Sequence, residues 1–338
     1  MTSRPILVVD DEPHNLAAMR QILKGLYPLV FARNGVEALD AVRKHHPALV
    51  LLDIDMPGMN GYAVCRQIQA DPKTTDTPVI FVTALSEVGN EAEGFDAGAV
   101  DYIVKPVSPL LVKARVRTHL SLVKTAQLER SHRDAISMLG EAGHFNDTDT
   151  GTHIWRMAAF AAHLAAVSGW NESDCRLLEL AAPMHDTGKL GIPDAILRKP
   201  GKLDEREWTI MKTHSRIGYN ILSRSDALVF QLAAEIALHH HERWDGTGYP
   251  DGLAGESIPE SARIVAIADV FDALSMKRPY KEAWPIDRIM TTLRESAGNH
   301  LDARLLSLFE EALPQILTIQ AHWNNQESGK FPPHQPVS

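Results

Sequence analysis

Five short runs of Val, Ile and Leu dominate the first 106 residues: "PILVVD", "LVFA", "ALVLLDI", "PVIFVTA" and "DYIVKP". Segments with helical periodicity, such as "HNLAAMRQILKG" and "GYAVCRQIQA", separate them. Strands that are apolar on both faces need cover on both faces, and intervening helices supply it. The pattern predicts a doubly wound parallel sheet. Beyond Phe145 such runs stop and helical patterns dominate, so a second, all-α domain is expected, as 338 residues also suggest.

Composition narrows the class. A hydrophobic fraction of 44% and a charged fraction of 23% are ordinary for soluble globular protein. No run reaches the roughly 18 apolar residues of a membrane helix, and "MTSRPILVVDDEP" lacks a signal-peptide pattern. Two distant cysteines, Cys65 and Cys175, fit a reducing cytoplasm. A net charge of -9 and the lack of a basic recognition helix disfavour a DNA-binding output. Sixteen histidines is a high count, and many fall between His144 and His241.

In a sheet of this kind ligands bind beyond the carboxyl ends of the strands. Asp10 and Asp11 end the first strand, Asp53 the third, Thr83 the fourth and Lys105 the fifth. Three converging carboxylates repel one another unless a cation joins them, and oxygen ligation suits Mg²⁺. A lysine and a hydroxyl opposite are the partners a phosphoryl group would need. Solvated loop acids are the plainer alternative, but five matched positions weigh against it.

With "VDDE", "LLDIDMPGMNGY", "VTA" and "DYIVKP", this segment resembles the receiver domain of bacterial response regulators. The resemblance implies that a cognate histidine kinase phosphorylates Asp53 and that Asp10 and Asp11 hold Mg²⁺. It also implies that Lys105 and Thr83 contact the phosphate, that Tyr102 is the aromatic switch, and that Lys105-Pro106 is a cis bond.

From Val107 to about Phe145 the chain reads as one long helix. Leu111, Val116, Leu120, Val123 and Leu128 lie near coiled-coil spacing. That stripe calls for either the output domain or a second chain, and a homodimer is the expectation.

The helical remainder places polar ligands on apolar faces. His153, Met157, Phe160 and Leu164 form one helical stripe, and Asp149 stands four residues before His153. His185 and Asp186 end the Ala-rich, helix-like stretch "ELAAPMHD". Gly188 then permits a tight exit, and Lys189 follows. Asp204 and Glu207 look like a capping box, with His214 in line with Ile210, Ile217 and Ile221 beyond it. His240 and His241 follow Ala233, Ala234 and Ala237, and Asp269 is nearly surrounded by apolar residues. A lone histidine on such a stripe is more often a hydrogen-bonded core residue than a ligand. A carboxylate in an apolar helix needs a partner or a proton, because burying it alone costs several kcal/mol. Seven such groups together point to two metal ions sharing a carboxylate, with Mn, Fe, Co, Ni and Zn all compatible.

The motifs "HDTGKLGIPDAILRKPGKLDEREW", "HHERWDGTGYPDGLAGESIP", "RIVAIADVFDAL" and "RPYK" resemble the HD superfamily of metal-dependent phosphohydrolases. More narrowly they resemble the HD-GYP family of cyclic di-GMP phosphodiesterases, over roughly residues 145 to 315. The implied metal ligands are His153, His185, Asp186, His214, His240, His241 and Asp269, with Asp186 bridging. Asp149 stands where some members carry the glutamate that holds a third ion. The triple "HHH" leaves two overlapping pairs, and "ERWDGTGYP" aligns the last two, so His239 falls outside the ligand set. His144 and His163 read as structural or solvated, and Asp272 as a hydrogen-bonding partner.

The implied reaction is in-line attack on phosphorus by a water activated between the ions, giving pGpG and, in some relatives, GMP. The resemblance implies that Asp186 and Lys189 carry the catalysis. Lys189, Gly248, Tyr249, Pro250, Arg278 and Lys281 frame the substrate, although Arg278 and Lys281 read equally well as surface charges. The full expectation is an α/β flavodoxin-like receiver at 1–122, a helical connector at 123–145, an all-α HD-GYP domain at 146–320 and a disordered tail at 321–338. Diguanylate cyclase proteins are further partners that the resemblance suggests. Two alternatives stand beside this one. One is a phosphorylation-controlled adaptor with little catalysis, and the other is a phosphohydrolase of another cyclic nucleotide.

Overall fold

The computed structural model describes residues 4–84, 93–144, 152–276 and 283–327. Two compact units divide the chain, Met1–Ser131 and His132–Ser338. The first holds a five-stranded, all-parallel sheet of β1 (Ile6–Val9), β2 (Leu29–Ala32), β3 (Leu49–Asp53), β4 (Val79–Thr83) and β5 (Asp101–Val104). Its order is β2-β1-β3-β4-β5. Helices α1 (Pro13–Leu23), α2 (Gly35–His45) and α3 (Gly61–Ala70) fill the crossovers.

The strand residues divide by alternation. Leu7, Val9, Val50, Leu52 and Phe81 pack towards α2 and α3. Ile6, Val8, Leu49, Leu51 and Ile80 pack on the other face, with Leu16, Met19 and Leu23 of α1. Each face is apolar, which is why the runs read as nearly continuous. Between β1 and β3 the strand order reverses, and there Asp10 and Asp53 emerge side by side.

Helix α4 runs from Pro109 to His144, and the boundary between the units falls within it. Its apolar stripe does not belong wholly to an output domain or to a second chain. Val112 and Val116 are buried on the receiver's own sheet with Leu120 beside them, because α1 alone does not cover that face. Leu111 and Leu128 stay exposed.

Among the described residues no strand follows β5; only isolated bridges occur, Asp245–Ala254 and Ala297–Leu301. The second unit contains α5 (Thr152–Val167), α6 (Glu172–Ala181), α7 (Asp194–Leu197), α8 (Glu205–Met211), α9 (His214–Leu222) and α10 (Leu228–His239). It continues with α11 (Glu260–Ser275), α12 (Ile286–Glu295), α13 (Ala303–Glu311) and α14 (Leu313–Glu327). Phe271 anchors the core, edge-on to Phe160 at 5.4 Å and to Phe309 at 5.0 Å. Around it, buried alanines such as Ala158, Ala161, Ala234 and Ala237 let the helices approach closely.

Capping sets the helix starts. Asn171 caps α6 and Asp302 caps α13, while Asp204 and Glu207 form the reciprocal box at α8. The chain end departs from expectation, since residues 321–327, assigned to a disordered tail, continue α14. Leu313, Ile316 and Leu317 seat that helix on the core, and Arg156 donates to Asn324 at 2.9 Å.

Candidate metal centre and phosphoacceptor cleft

The carboxyl edge of the sheet gathers one oxygen each from Asp10, Asp11 and Asp53 within 4.8 Å of one another. Lys105, just past β5, bridges two of them, with Nζ 2.8 Å from Asp10 and 2.7 Å from Asp53. Burial pushes the Asp53 carboxyl above its usual range, and the Lys105 ammonium only partly offsets this. Burial opposes charge on Lys105 too, but the hydrogen bonds to Asp10 and Asp53 outweigh it and raise its pKa. Thr83 is buried at the end of β4, and Tyr102 on β5 is half-buried, edge-on to Phe95 at 6.4 Å. Lys105-Pro106 is cis, as expected.

The second unit builds its site around Asp186. Helix α6 ends at Ala181, four residues sooner than the sequence suggests, because Pro183 lacks the N–H to continue it. A tight turn over Ala182–Met184 leads into His185, and Asp186 opens a second turn at Thr187–Gly191. The remaining imidazoles come from helix ends: His153 in the first turn of α5, His214 at the start of α9, and His240 and His241 directly after α10.

The geometry fixes ring orientation and tautomer together. His185 Nδ1 donates to the Ala182 carbonyl at 2.9 Å, and His214 Nδ1 to that of Met211 at 2.8 Å. His240 Nδ1 is 3.1 Å from both the Ile236 and the Ala237 carbonyl. A carbonyl only accepts, so each Nδ1 carries a proton and turns Nε2 inward. His214 Nε2 lies 3.4 Å and His240 Nε2 3.8 Å from Asp186 Oδ1, and His185 Nε2 lies 3.2 Å from Oδ2. Ligand atoms of Asp186, His214, His240 and His241 all fall within 4.8 Å of one another.

These donors fit a transition-metal centre. Asp186 Oδ1 and the Nε2 atoms of His153, His214 and His240 are buried without a hydrogen-bond partner, which is costly unless a cation takes them up. Bonds of about 2.1 Å to one ion set adjacent ligand atoms roughly 3 Å apart, close to the spacings seen here. Burial holds His214, His240 and His241 below the usual imidazole range, His241 down to about 3, so their lone pairs are available at neutral pH.

The surroundings are polar and tightly held. Lys189 Nζ sits 2.8 Å from Asp186 Oδ2. His153 Nδ1 is 3.4 Å from Asp272, whose carboxylate is gripped by Arg156 at 2.6 and 3.1 Å. Asp269 stands close enough to His185 to favour its charged form. The Tyr249 ring lies 4.8 Å from that of His241, with the half-exposed Trp208 ring at 6.3 Å and Lys212 Nζ at 6.0 Å from its centre. Gly248 backs onto the Glu242–Arg243 chain, and Tyr249-Pro250 is cis. Glu242, buried, accepts from the backbone N–H groups of Asp251, Gly252 and Leu253 at 2.8–3.1 Å and so holds this loop.

Not every expected residue joins the cluster equally. His153 stands one ring further out, on His144 at 5.1 Å, and His239 groups instead with Glu242 and Asp251. Asp149, Arg278 and Lys281 lie outside the described residues. His144, expected to be structural or solvated, is buried with Nδ1 4.0 Å from Asp186 Oδ2. A helical stripe of Ile136, Gly140, Gly143 and His144 was the available signal. The hold of Glu242 on the loop leaves no mark in the sequence, which does not show which buried N–H groups lack partners.

Comparison with known proteins identifies both units. The response regulator receiver domain model matches residues 6–117, and an HD domain model matches 117–305. The cyclic di-GMP phosphodiesterase response regulator RpfG of Xanthomonas campestris pv. campestris is 38% identical, over 92% of this chain and 88% of that protein. A probable cyclic di-GMP phosphodiesterase of Vibrio cholerae is 38% identical over 97% of this chain and 82% of its own length. A 3′3′-cGAMP-specific phosphodiesterase of the same organism is 43% identical over 57% of this chain, but over only 37% of its own length. The chain therefore belongs to the response regulators of the HD-GYP family, with an N-terminal receiver domain and a C-terminal HD domain.

Proposed function

We propose that this protein hydrolyses cyclic di-GMP to pGpG at a binuclear centre, under control of phosphorylation at Asp53 by a cognate histidine kinase. The observation that carries it is the convergence of unpaired Nε2 and Oδ1 atoms on one buried carboxylate. His153, His185, Asp186, His214, His240, His241 and Asp269 would hold two divalent ions, with Asp186 shared between them. Bound there, the ions supply an activated water and neutralise phosphoryl charge. Lys189 is the chain's own cation beside that phosphate, and Tyr249 walls the pocket. Substrate class comes from the relatives, whose names specify cyclic di-GMP.

Anaerobic purification, metal analysis and chromatography of products from cyclic di-GMP test the proposal. Wild type should release pGpG, and the double variant His185→Ala/Asp186→Ala should lose both metal and turnover. Turnover that survives the double variant would reject the site.

The similarity to a 3′3′-cGAMP-specific enzyme favours a second substrate reading, a hybrid cyclic dinucleotide at the same centre. Comparing the specificity constants of the two substrates decides between them. The protein is further proposed to act in the cytoplasm as a homodimer paired along α4, where Leu111, Leu122 and Leu128 are exposed. A monomer in sedimentation, with and without a phosphoryl mimic, would remove the dimer.

A further inference from the structure

We infer that His144, the last residue of α4, is an additional ligand of the metal centre, on the side of Asp186 that faces His185. The inference rests on reading the cluster as a metal centre. His144 is 4% exposed, and its ring lies between those of His153 and His185, 5.1 Å from each. Ligand atoms of His144, His185 and Asp186 fall within 4.8 Å of one another.

The Nδ1–Oδ2 separation of 4.0 Å is too long for a hydrogen bond. It leaves room for an ion that both atoms would hold, because two bonds of about 2.1 Å reach across separations up to about 4.2 Å. Both oxygens of the carboxylate then meet imidazoles. Oδ1 faces His214 and His240 with His241 beside them, and Oδ2 faces His185, His144 and the Lys189 ammonium, with His153 behind.

The fold fixes His144 in this place. A Cβ on Gly143 would meet Thr187 Cα at 2.9 Å and the Asp186 carbonyl carbon at 3.1 Å. The helix end therefore rests directly on the backbone that carries Asp186, and only a residue without a side chain permits that seat. An imidazole at the next position is delivered to the carboxylate. A stretch of connector helix thus becomes part of the ligand set, which places a metal-binding atom at the end of the element that begins at Pro109.

The test uses the full chain, stripped and reloaded with cobalt(II), whose visible ligand-field spectrum reports coordination. His144→Gln keeps the bulk of the side chain. It should bind the weaker of the two ions at least about tenfold less tightly and shift the ligand-field band. His144→Ala should show the same loss, and added imidazole should restore the wild-type band. Both variants retaining two cobalt ions with wild-type affinity and an unaltered spectrum would overturn the inference while leaving the metal centre intact. A wild type that takes up no cobalt would instead overturn the metal centre, and the role of His144 with it. If His144→Gln does not fold, the imidazole response of His144→Ala decides.

Discussion

A Cβ placed on Gly188 would lie 1.8 Å from the His214 carbonyl oxygen and 2.5 Å from the Gly218 amide. The turn that follows Asp186 is thus pressed onto the backbone of α9, and this contact brings His214 to within 3.4 Å of the carboxylate. Backbone cannot rotate away as a side chain can. Gly188→Ala should therefore cost about 3 kcal/mol, the upper end for overpacking. It should also separate His214 from Asp186 and lower metal content. Denaturant titration and metal analysis check both, and a variant with wild-type stability and metal would show the contact to be slack.

Proton uptake and metal binding should compete at His185. Burial works against a charged imidazole there, but the Asp186 carboxylate outweighs it and sets the pKa at about 9. Burial likewise works against ionised Asp186, and Lys189 and His185 overcome it, holding the carboxyl well below its usual range. The metal-free protein at pH 7 therefore contains a charged pair. A folded pKa raised above the free value of about 6.5 gives stability that is full below 6.5 and lost as pH rises through about 9. An ion needs the Nε2 lone pair, so apparent affinity should climb roughly tenfold per pH unit towards pH 9 and then level off. Calorimetry in buffers of different ionisation enthalpy should detect the released proton. Affinity that stays flat between pH 7 and 9 would contradict the pairing.

Asp272 is placed to orient His153, one of the proposed ligands, rather than to be one itself. It accepts from Arg156 through two nitrogens and stands 3.4 Å from His153 Nδ1, which turns Nε2 of that ring away from it. Asp272→Asn keeps the volume but removes the charge, and metal affinity should fall by roughly 10- to 100-fold. Competition with a chelator measures this. Arg156→Met tests the same grip from the far side and should give a smaller loss, since the carboxylate would still face His153.

Much of this was legible in the sequence because period and type coincide. The five Val/Ile/Leu runs could only be strands covered on both faces, and the acids at their ends could only meet at one edge. Asp186 and His185 stood out because charge on an apolar stretch needs a reason. What escaped was set by tertiary contact. Pro183 ends α6 early, yet the Ala-rich composition around it reads as continuous helix. Val116 looked like a coiled-coil position because period alone does not say which apolar surface receives it. His144 looked like the polar end of a helix, and only the glycine seat at Gly143 shows where it goes.

The proposed control by phosphorylation would work through Lys105. Its ammonium joins Asp10 and Asp53, so the cleft already holds one cation between two buried acids. A phosphoryl group on Asp53 would replace its single carboxylate charge with about two, spread over three acceptor oxygens, and draw that ammonium to new oxygens. Thr83 stands at the end of the neighbouring strand as a further partner, and Tyr102 is half-buried beside it on β5. The first turns of α4 share a core with these strands through Val112 and Val116, so the change acts on an element that continues into the second unit. Beryllofluoride should change cyclic di-GMP turnover by about 5-fold or more, the lower range for coupled sites. Asp53→Asn should abolish the response without altering the metal content. A rate that does not respond to beryllofluoride, in protein shown by its fluoride complex to be saturated, would reduce the receiver to a docking module.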